Sequence, residues 1–396
     1  MKPNVAVIGQ GYVGLPLSIS IAESGMNVIG IDKNKLIVNE LNLGNTLVED
    51  VENNQLKSQI ESGNYQATTD YSKIKACSVI LICVPTPLLR HKPDLSYLLD
   101  AVKSLGAYLK EGDLVIVEST IEPGTTTKIV IPLLESESKL SREKFHVVFS
   151  PERIDPTNNL WSLKNTPKLV AGFTNEAGKL AIAFYSNFID NIVECDSIEV
   201  AESAKLLENS FRLVNISFIN EFSIFCQKLG VDVNEVVKAA SSKPYGFMPF
   251  YPSIGVGGHC IPVDPLYLAN KARDIGAPTR FIDLADQVNQ EMPSYFVGRA
   301  EEKIGGLKVK KVLVIGVSYK PNVADVRETP VEALILGLKN KGAEVFWHDD
   351  LVKEWNDEKS VALSNVYDLA IIATPHAYLD LTKLGDVPIL NTRGSI

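Results

Sequence analysis

Short runs of almost purely apolar residues recur along the first half of the chain, separated by segments with helical spacing. These runs occupy residues 5–8, 28–31, 79–84, 114–118 and 147–149. An apolar run of this length is typical of a parallel strand that is buried on both faces. Residues 15–24, between the first two runs, have the periodicity of a helix. The alternation predicts an α/β domain with a parallel sheet.

The middle of the chain has a different character. Residues 197–229 alternate charged and apolar side chains at helical spacing, and no Pro or Gly interrupts them before Gly230. This pattern predicts one long helix with apolar surface left over for a partner. After Gly305 and Gly306, apolar runs at 311–315, 344–347 and 369–373 predict a second α/β domain. We expect three parts: 1–196, a central helical region 197–300, and 301–396.

The bulk composition supports this division and limits the function classes. At 396 residues the chain is too long for one ordinary core. A net charge of −9 without any basic block argues against a nucleic-acid surface. The first apolar run is too short for a signal peptide, and no run is long enough to cross a bilayer. These features predict a cytoplasmic protein that binds neither nucleic acid nor membrane.

The chain has five cysteines, an odd number, and no CxxC pair that would indicate a metal or redox site. We expect no metal and a reducing environment, with four cysteines acting as small core residues and one as a candidate reagent. In chain order they are Cys77, Cys83, Cys195, Cys226 and Cys260.

A glycine-rich turn joins the first predicted strand to the first predicted helix, and an acidic residue ends the second strand. Glycines permit a tight turn and let a pyrophosphate approach the start of the helix. Asp32 is placed to accept hydrogen bonds from a ribose 2′-OH and to repel a 2′-phosphate. This order predicts a Rossmann-like domain that prefers NAD to NADP. The residues expected to hold the cofactor here are Gly9, Gly11, Tyr12, Val13, Gly14, Asp32 and Lys33.

Three later strands of the first domain each end in polar groups. In an open parallel sheet, ligands bind beyond the carboxyl ends of the strands. Ordinary turn chemistry accounts for any one of these endings, but the three together favour a binding edge. They are Pro85 and Thr86 after the first strand, Ser119 and Thr120 after the second, and Ser150 and Glu152 after the third.

The segment 255–265 places Cys260 among three glycines and two prolines, and Asp264 follows four residues later. Such a loop displays a thiol, which can attack a carbonyl when its neighbours favour the thiolate. A buried cysteine in a glycine-rich turn is the alternative. Lys205 and Asn209 share one face of the predicted long helix, although for this pair taken alone a solvated lysine on a helix is the more common explanation. In the last domain, Lys320 and Arg327 could hold a second phosphorylated ligand.

Taken in order, these motifs resemble the nucleotide-sugar 6-dehydrogenases, a family that includes UDP-glucose, GDP-mannose and UDP-N-acetylhexosamine dehydrogenases. The resemblance implies two Rossmann-like parallel-sheet domains joined by a long central helix. It also implies a homodimer or larger assembly, NAD as cofactor, and a C-terminal domain that binds a UDP-sugar. The residues that carry it lie at 7–16, 83–87, 118–120, 150–153, 204–209, 257–265 and 325–328.

One position departs from part of that family. UDP-glucose and GDP-mannose enzymes often have a second carboxylate four residues after the first, where this chain has Pro156 after Glu152. The chain is in this respect more similar to the UDP-N-acetylhexosamine branch. Asp155 is the candidate substitute for the second carboxylate.

The resemblance implies a twofold oxidation of the sugar C6 hydroxyl, with one hydride passing to each of two NAD molecules. Cys260 would attack the C6 aldehyde, and the resulting thiohemiacetal would be oxidised to a thioester that water hydrolyses. Lys205 and Asn209 would stabilise oxyanion charge. Asp264 and Thr120 would hold the lysine and a water, and Glu152 would act as general base.

The same resemblance suggests which residues contact substrate and cofactor. Pro85, Thr86 and Thr120 join the cofactor residues named above. The expected substrate contacts are Lys205, Asn209, Tyr245, Phe250, Gly257, Lys320 and Arg327.

Three alternatives stay open at this point. The first is the same chemistry on UDP-glucose. The second is a single two-electron oxidation of the hydroxyacid-dehydrogenase kind, which has no need of Cys260. The third is a nucleotide-binding regulatory protein without turnover. Two, one or no NADH formed per sugar separates these classes.

Overall fold

The computed structural model describes residues 4–46, 48, 50–154, 158 and 160–394. Asp155 and Pro156, at the position where the chain departs from the family pattern, lie outside the described residues. The chain divides into two compact units, Met1–Leu207 and Glu208–Ile396. The division into 1–196, 197–300 and 301–396 stays a prediction.

The first unit alternates strands with helices. Its strands are β1 (Asn4–Ile8), β2 (Asn27–Ile31), β3 (Tyr65–Thr68), β4 (Val79–Ile82), β5 (Leu88–Leu89), β6 (Lys92–Pro93), β7 (Leu114–Val117), β8 (His146–Phe149), β9 (Lys168–Gly172) and β10 (Ile192–Glu194). Its helices are α1 (Gly14–Glu23), α2 (Lys35–Asn42), α3 (Asn53–Glu61), α4 (Ser96–Gly106), α5 (Ile131–Ser138) and α6 (Asn175–Tyr185).

In the described part of this unit, eight strands form one sheet in the order β10-β9-β8-β7-β4-β1-β2-β3. Both faces are covered, so alternate residues of a strand enter different cores: Val5 and Val7 face one cluster, Ala6 and Ile8 the other. This explains why the strands read as continuous apolar runs. Burying one such side chain contributes about 1.5–3 kcal/mol.

One strand pairing was not predicted. Six strands of the sheet run parallel, whereas β9 pairs antiparallel with β8 and β10 pairs parallel with β9, so these last two strands run in the opposite direction. A parallel pair needs a crossover connection, usually a helix, and the described residues between β8 and β9 contain none. The predicted α/β class is confirmed with this one addition.

The long helix is confirmed as α7 (Ile198–Leu229), 32 residues long. It ends where Gly230 takes a φ of +78° and where the N–H of Val231 donates to the carbonyl of Cys226, a closure that favours glycine. Phe211, Phe218 and Phe225 on this helix are 46%, 65% and 56% exposed. No helix in the described ranges has the length and apolar character that a membrane span requires.

The second unit contains the rest of α7 and a smaller sheet. Its further helices are α8 (Val233–Ala240), α9 (Asp264–Asp274), α10 (Arg280–Ile304) and α11 (Val331–Asn340). Its strands are β11 (Lys311–Ile315), β12 (Glu344–His348), β13 (Glu354–Trp355), β14 (Glu358–Lys359), β15 (Leu369–Ile372) and β16 (Ile389–Asn391). Four of them form a parallel sheet in the order β12-β11-β15-β16.

The two sheets share one detail at corresponding places. The N–H of Gln10 donates to Asp32 Oδ2 at 2.9 Å, and the N–H of Val317 donates to Asp349 Oδ2 at 2.9 Å. In each unit a glycine with positive φ, Gly9 or Gly316, precedes the donor. The second unit thus repeats the strand–turn–acid arrangement of the first.

Asp349 has two further partners that Asp32 lacks among the described residues, the N–H of Val352 and the ring of His376. His376 Nδ1 accepts from the N–H of Asn322 at 2.9 Å, so its Nε2 carries the proton and donates to Asp349 Oδ2 at 3.0 Å. Burial raises the pKa of Asp349, but this bond and three backbone donors outweigh it and lower the pKa to about 2.

The cysteines fall nearly as predicted. Cys77, Cys83 and Cys226 are buried, and Cys260 is exposed. Cys195 is only half-buried, because it follows β10, the strand at the open edge of the larger sheet.

Candidate active site

The three glycines of the first turn have different surroundings. Gly9 has a φ of +91°, and a Cβ on it would come within 2.6 Å of the carbonyl oxygen of Cys83. A Cβ on Gly14, the first residue of α1, would come within 1.8 Å of the carbonyl oxygen of Gly9. A Cβ on Gly11 would meet nothing within 4 Å. Gly9 and Gly14 serve the turn itself, and the space at Gly11 fits a pyrophosphate at the start of the helix.

Asp32 follows β2 beside this turn. Its Oδ2 accepts from the N–H of Gln10 and its Oδ1 from the N–H of Asn34, both at 2.9 Å. Tyr12 is 43% exposed and Val13 half-buried at the mouth of the turn. Lys33 is paired with Asp100 on α4 at an exposed position, and its contact with the cofactor stays a prediction.

The strand ends meet at one edge because β4, β7 and β8 are neighbours and parallel. Pro85 is exposed, and Thr86 and Thr120 are half-buried there. The hydroxyls of Ser119 and Ser150 donate to the carbonyls of Val84 and Leu169 at 2.7 Å. Both serines therefore brace the strands, which is the ordinary structural use of such residues.

Glu152 lies in a buried charge cluster at the same edge. Its Oε1 accepts from the N–H groups of Arg153 and Ile154 at 2.6 and 2.7 Å, and its Oε2 lies 3.3 Å from Lys168 Nζ. Burial raises the pKa of Glu152, but Lys168, the two backbone donors and Lys205 outweigh it and lower the pKa. Glu152 is thus ionised at neutral pH.

Two members of this cluster were missed in the sequence. Lys168 Nζ lies 2.5 Å from Glu118 Oε2, and the Tyr185 hydroxyl donates to Glu118 Oε1. A lysine that opens the otherwise apolar strand at 168–172 was a usable signal, since a buried lysine needs a partner. Tyr185 ends a helix and carried no such signal.

The start of α7 belongs to the first unit and carries Lys205 and Glu202. Lys205 is 8% exposed, and its charge acts on Glu152. Glu202 is fully buried and accepts from the N–H groups of Gly124 and Thr126 at 2.6 and 3.0 Å. Burial raises the pKa of Glu202 to about 7 despite these bonds.

Cys260 lies in a glycine turn of the second unit. The N–H of Asp264 donates to the carbonyl of Cys260 at 2.9 Å as α9 begins. The N–H of Gly258 donates to the carbonyl of Arg327 at 3.0 Å, and a Cβ on Gly258 would strike the ring of Tyr319 at 2.9 Å. The cysteine turn is thereby fixed against the segment 319–328.

Asn209 and Asp264 are brought together. Asn209 Nδ2 donates to Asp264 Oδ2 at 2.5 Å, and both side chains are buried. Asn209 lies one turn of α7 after Lys205, as the sequence spacing requires. The acid four residues after Cys260 thus holds a residue of the long helix.

The predicted substrate residues of the second unit have mixed surroundings. Tyr245 is 72% exposed, with Lys243 Nζ 5.0 Å from its ring centroid. Phe250 packs edge-on against Phe211, with the ring centroids 5.8 Å apart. A Cβ on Gly257 would come within 2.4 Å of the carbonyl oxygen of Glu328, so the glycine is required for packing.

Lys320 and Arg327 lie on the segment that fixes the cysteine turn. The carbonyl of Lys320 accepts from the Ser318 hydroxyl at 2.9 Å. Arg327 Nε lies 2.9 Å from both carboxylate oxygens of Asp325. The roles assigned to these residues stay predictions.

Comparison with known proteins identifies the family. Residues 3–189 match the NAD-binding domain of the UDP-glucose/GDP-mannose dehydrogenase family, residues 199–291 its central domain and residues 313–390 its UDP-binding domain. A UDP-N-acetyl-D-glucosamine 6-dehydrogenase of Pseudomonas aeruginosa is 35% identical over 388 residues, covering 94% of this chain and 90% of its own.

Two solved structures extend the similarity. A UDP-D-ManNAc dehydrogenase from Pyrococcus horikoshii superimposes with a TM-score of 0.91 at 32% identity, covering 98% of this chain and 95% of its own. A UDP-glucose dehydrogenase from Pyrobaculum islandicum gives 0.91 at 27% identity, covering 99% and 94%. This chain belongs to the UDP-glucose/GDP-mannose dehydrogenase family and is an NAD-dependent oxidoreductase.

Proposed function

We propose that this enzyme oxidises the C6 hydroxyl of a UDP-N-acetylhexosamine twice, to the uronic acid, through a covalent adduct on Cys260. The observation that carries the proposal is that the exposed thiol of Cys260 lies on a turn fixed by backbone hydrogen bonds. Cys260 is held by a turn whose next acid, Asp264, binds Asn209 at 2.5 Å. A displayed thiol on a fixed turn is what nucleophilic catalysis requires.

The first unit would hold NAD by its glycine turn and Asp32. The open space at Gly11 admits the pyrophosphate, and Asp32 would accept from a ribose hydroxyl. Pro85, Thr86 and Thr120 would line the nicotinamide end at the strand edge. When bound, NAD accepts a hydride from the carbon that is oxidised.

The first oxidation converts the C6 alcohol to an aldehyde, with loss of the hydroxyl proton. Lys205 and Asn209, one helical turn apart, would stabilise the negative charge that develops on the C6 oxygen. Lys205 is nearly buried, and an electrostatic interaction is stronger in a site that excludes water.

The second oxidation would use Cys260. Its sulfur forms a bond to C6, giving a thiohemiacetal, and oxidation of that carbon leaves a thioester. A water adds to the thioester carbonyl while Glu152 takes up its proton. The C–S bond then breaks, the thiolate leaves and the carboxylate forms. In sum, one alcohol, one water and two NAD⁺ give one carboxylate, two NADH and three protons.

The N-acetylhexosamine is proposed from the relatives. The Pseudomonas and Pyrococcus proteins are named for UDP-N-acetyl sugars, while the Pyrobaculum protein is named for UDP-glucose at lower identity. Lys320 and Arg327 would hold the UDP diphosphate, with Tyr245 and Phe250 near the sugar. UDP-glucose is the second candidate substrate.

NADH counted per sugar tests the proposal. We expect two NADH for each UDP-GlcNAc or UDP-ManNAc consumed, and a lower kcat/KM with UDP-glucose. One NADH per sugar would establish the simple two-electron alternative. In Lys320→Ala the KM for the UDP-sugar should rise while the KM for NAD stays unchanged.

We also propose that the enzyme works as a homodimer or larger assembly formed through α7. Phe211, Phe218 and Phe225 recur every seven residues and so share one face of the helix. Rings of this size rarely stay exposed in a row, and a second copy of the same face would cover them.

A further inference from the structure

Lys168 lies at the centre of the buried charge cluster. It is the first residue of β9, and 3% of its surface is exposed. Its Nζ lies 2.5 Å from Glu118 Oε2 and 3.3 Å from Glu152 Oε2. It also lies 5.5 Å from the ring centroid of Tyr185. One ammonium therefore joins two carboxylates.

The cluster keeps Lys168 charged. Burial lowers the pKa of Lys168, but the charges of Glu118 and Glu152 outweigh it, and the pKa ends above its usual value. The groups that face the ammonium are these two carboxylates, Tyr185 and the thiol of Cys83. Burial raises the pKa values of Tyr185 and Cys83 well above their usual ranges, so both stay neutral.

Glu152 is held at both of its oxygens. Two backbone N–H groups fix Oε1, and Lys168 fixes Oε2. Glu118 does not need Glu152 in order to be paired, because Lys168 and the Tyr185 hydroxyl already serve it. Neutralising Glu118 thus does not explain why Lys168 also contacts Glu152.

We infer that Lys168 is a positioning residue that fixes the Glu152 carboxylate, in place and in its ionised form, for hydrolysis of the thioester. The inference rests on the proposed function, since it needs Glu152 to activate a water. A group that acts on a water must be held to within about 0.5 Å of its productive place. A buried carboxylate that lost its ammonium would move or take up a proton.

The test is a double-mutant cycle with Lys168→Met and Glu152→Gln. Lys168→Met should slow thioester hydrolysis by about 10²-fold. Sugar should then stay attached to Cys260, which the mass of the intact protein would show. The acid limb of the pH profile of kcat should move to higher pH. In the Glu152→Gln background it should cause no further slowing, because Lys168 acts through Glu152. Lys168→Arg should restore part of the rate.

Equal slowing by Lys168→Met in both backgrounds, or an unmoved acid limb, would overturn the inference. If Lys168→Met does not fold, Glu118→Gln combined with Lys168→Met removes one charge of each sign and should show the same pH shift. Lys144→Met is the control, because that lysine pairs with Glu111 on the surface. Uronic acid made at wild-type rate by Cys260→Ser would end the proposed function instead, whatever Lys168→Met does.

Discussion

Asn209 on α7 donates a 2.5 Å hydrogen bond to Asp264, the first residue of the helix that follows the cysteine turn. Asp264 in turn donates its N–H to the carbonyl of Cys260. Asp264 therefore contacts the long helix through its buried carboxylate and the cysteine turn through its backbone N–H. One residue thus joins the long helix to the turn that carries the thiol.

Replacing Asp264 by Ala should leave the Asn209 amide without its partner inside the protein. An unsatisfied buried polar group costs about 1–3 kcal/mol, and turnover should fall at least tenfold as the turn loosens. Urea unfolding and steady-state rates measure the two effects. Asn215→Ala is the control, since Asn215 on the same helix donates to the carbonyl of Phe211 near the surface. Wild-type stability in Asp264→Ala would contradict the structural role.

Cys260→Ser should lose steady-state turnover by roughly 10³-fold or more while still binding NAD and UDP-sugar. A serine hydroxyl is far less ionised near neutral pH than a thiol, and an ester hydrolyses more slowly than a thioester. Cys226→Ser, at a buried position, should lower stability and leave the rate unchanged. Rapid uronic acid formation by Cys260→Ser would exclude the covalent route.

Alanine variants at two glycines of the cofactor turn should affect different properties, folding at Gly14 and NAD binding at Gly11. Gly14→Ala places a methyl 1.8 Å from the carbonyl oxygen of Gly9, so the protein should fail to fold or lose more than about 4 kcal/mol. Gly11→Ala meets no protein atom, so its melting temperature should stay near wild type while the Kd for NAD rises about tenfold.

Gly298→Ala on α10 is the matched control, because a Cβ there too would meet nothing within 4 Å and the residue belongs to the second unit. It should fold and bind NAD normally. Unchanged NAD affinity in Gly11→Ala would show that the open space at Gly11 is not where the pyrophosphate lies.

Glu202 should make stability depend on pH between about 4.5 and 7. Its pKa in the folded protein is raised to about 7, so the folded state holds the proton that the unfolded state releases. The unfolding free energy should therefore fall as pH rises through this interval, by at most about 3 kcal/mol.

Glu202→Gln should flatten that dependence, measured by urea unfolding at several pH values. Asp70→Asn is the control: hydrogen bonds from Ser72 lower the pKa of Asp70, so its contribution changes only below that interval. If the unfolding free energy depended on pH equally in wild type and Glu202→Gln, the raised pKa of Glu202 would not contribute to stability.

The aromatic face of α7 predicts the assembly. Phe218→Lys should shift the protein to monomer in sedimentation velocity at micromolar concentration, because it places a charge in an apolar contact. Leu336→Lys, at another exposed apolar residue, should leave the assembly intact. A wild-type protein that is monomeric and fully active would remove the argument from this face.

Sequence reasoning located the strands, the glycine turn and the long helix because each depends on local pattern. Whole apolar runs require two covered faces, and the glycines at 9 and 14 are dictated by contacts below 3 Å. It also singled out Asn209 and Asp264 by their spacing and by family resemblance. Their contact joins residues far apart in sequence, which no local pattern specifies.

The missed features are long-range pairings of the same kind. The antiparallel β9 was hidden because the segment after β8 has no periodicity to read. The role of Lys168 was hidden because its partners, Glu118 and Glu152, follow the ends of other strands, far from it in sequence. The ion pair of Lys33 with Asp100 on α4 is a further long-range pairing that no local pattern specifies.

The two equivalent carboxylates, Asp32 and Asp349, differ in how many of their acceptor sites are already occupied by hydrogen bonds within the protein. A carboxylate offers about four acceptor sites. Asp349 fills them with the N–H groups of Val317, Leu351 and Val352 and with His376. Asp32 accepts two N–H groups of the described residues, which leaves room for a sugar hydroxyl pair. We therefore expect the first unit to distinguish ribose from deoxyribose through Asp32, and the second unit not to do so through Asp349. On this expectation, tolerance of 2′-deoxy nucleotide sugars depends on other residues of the second unit.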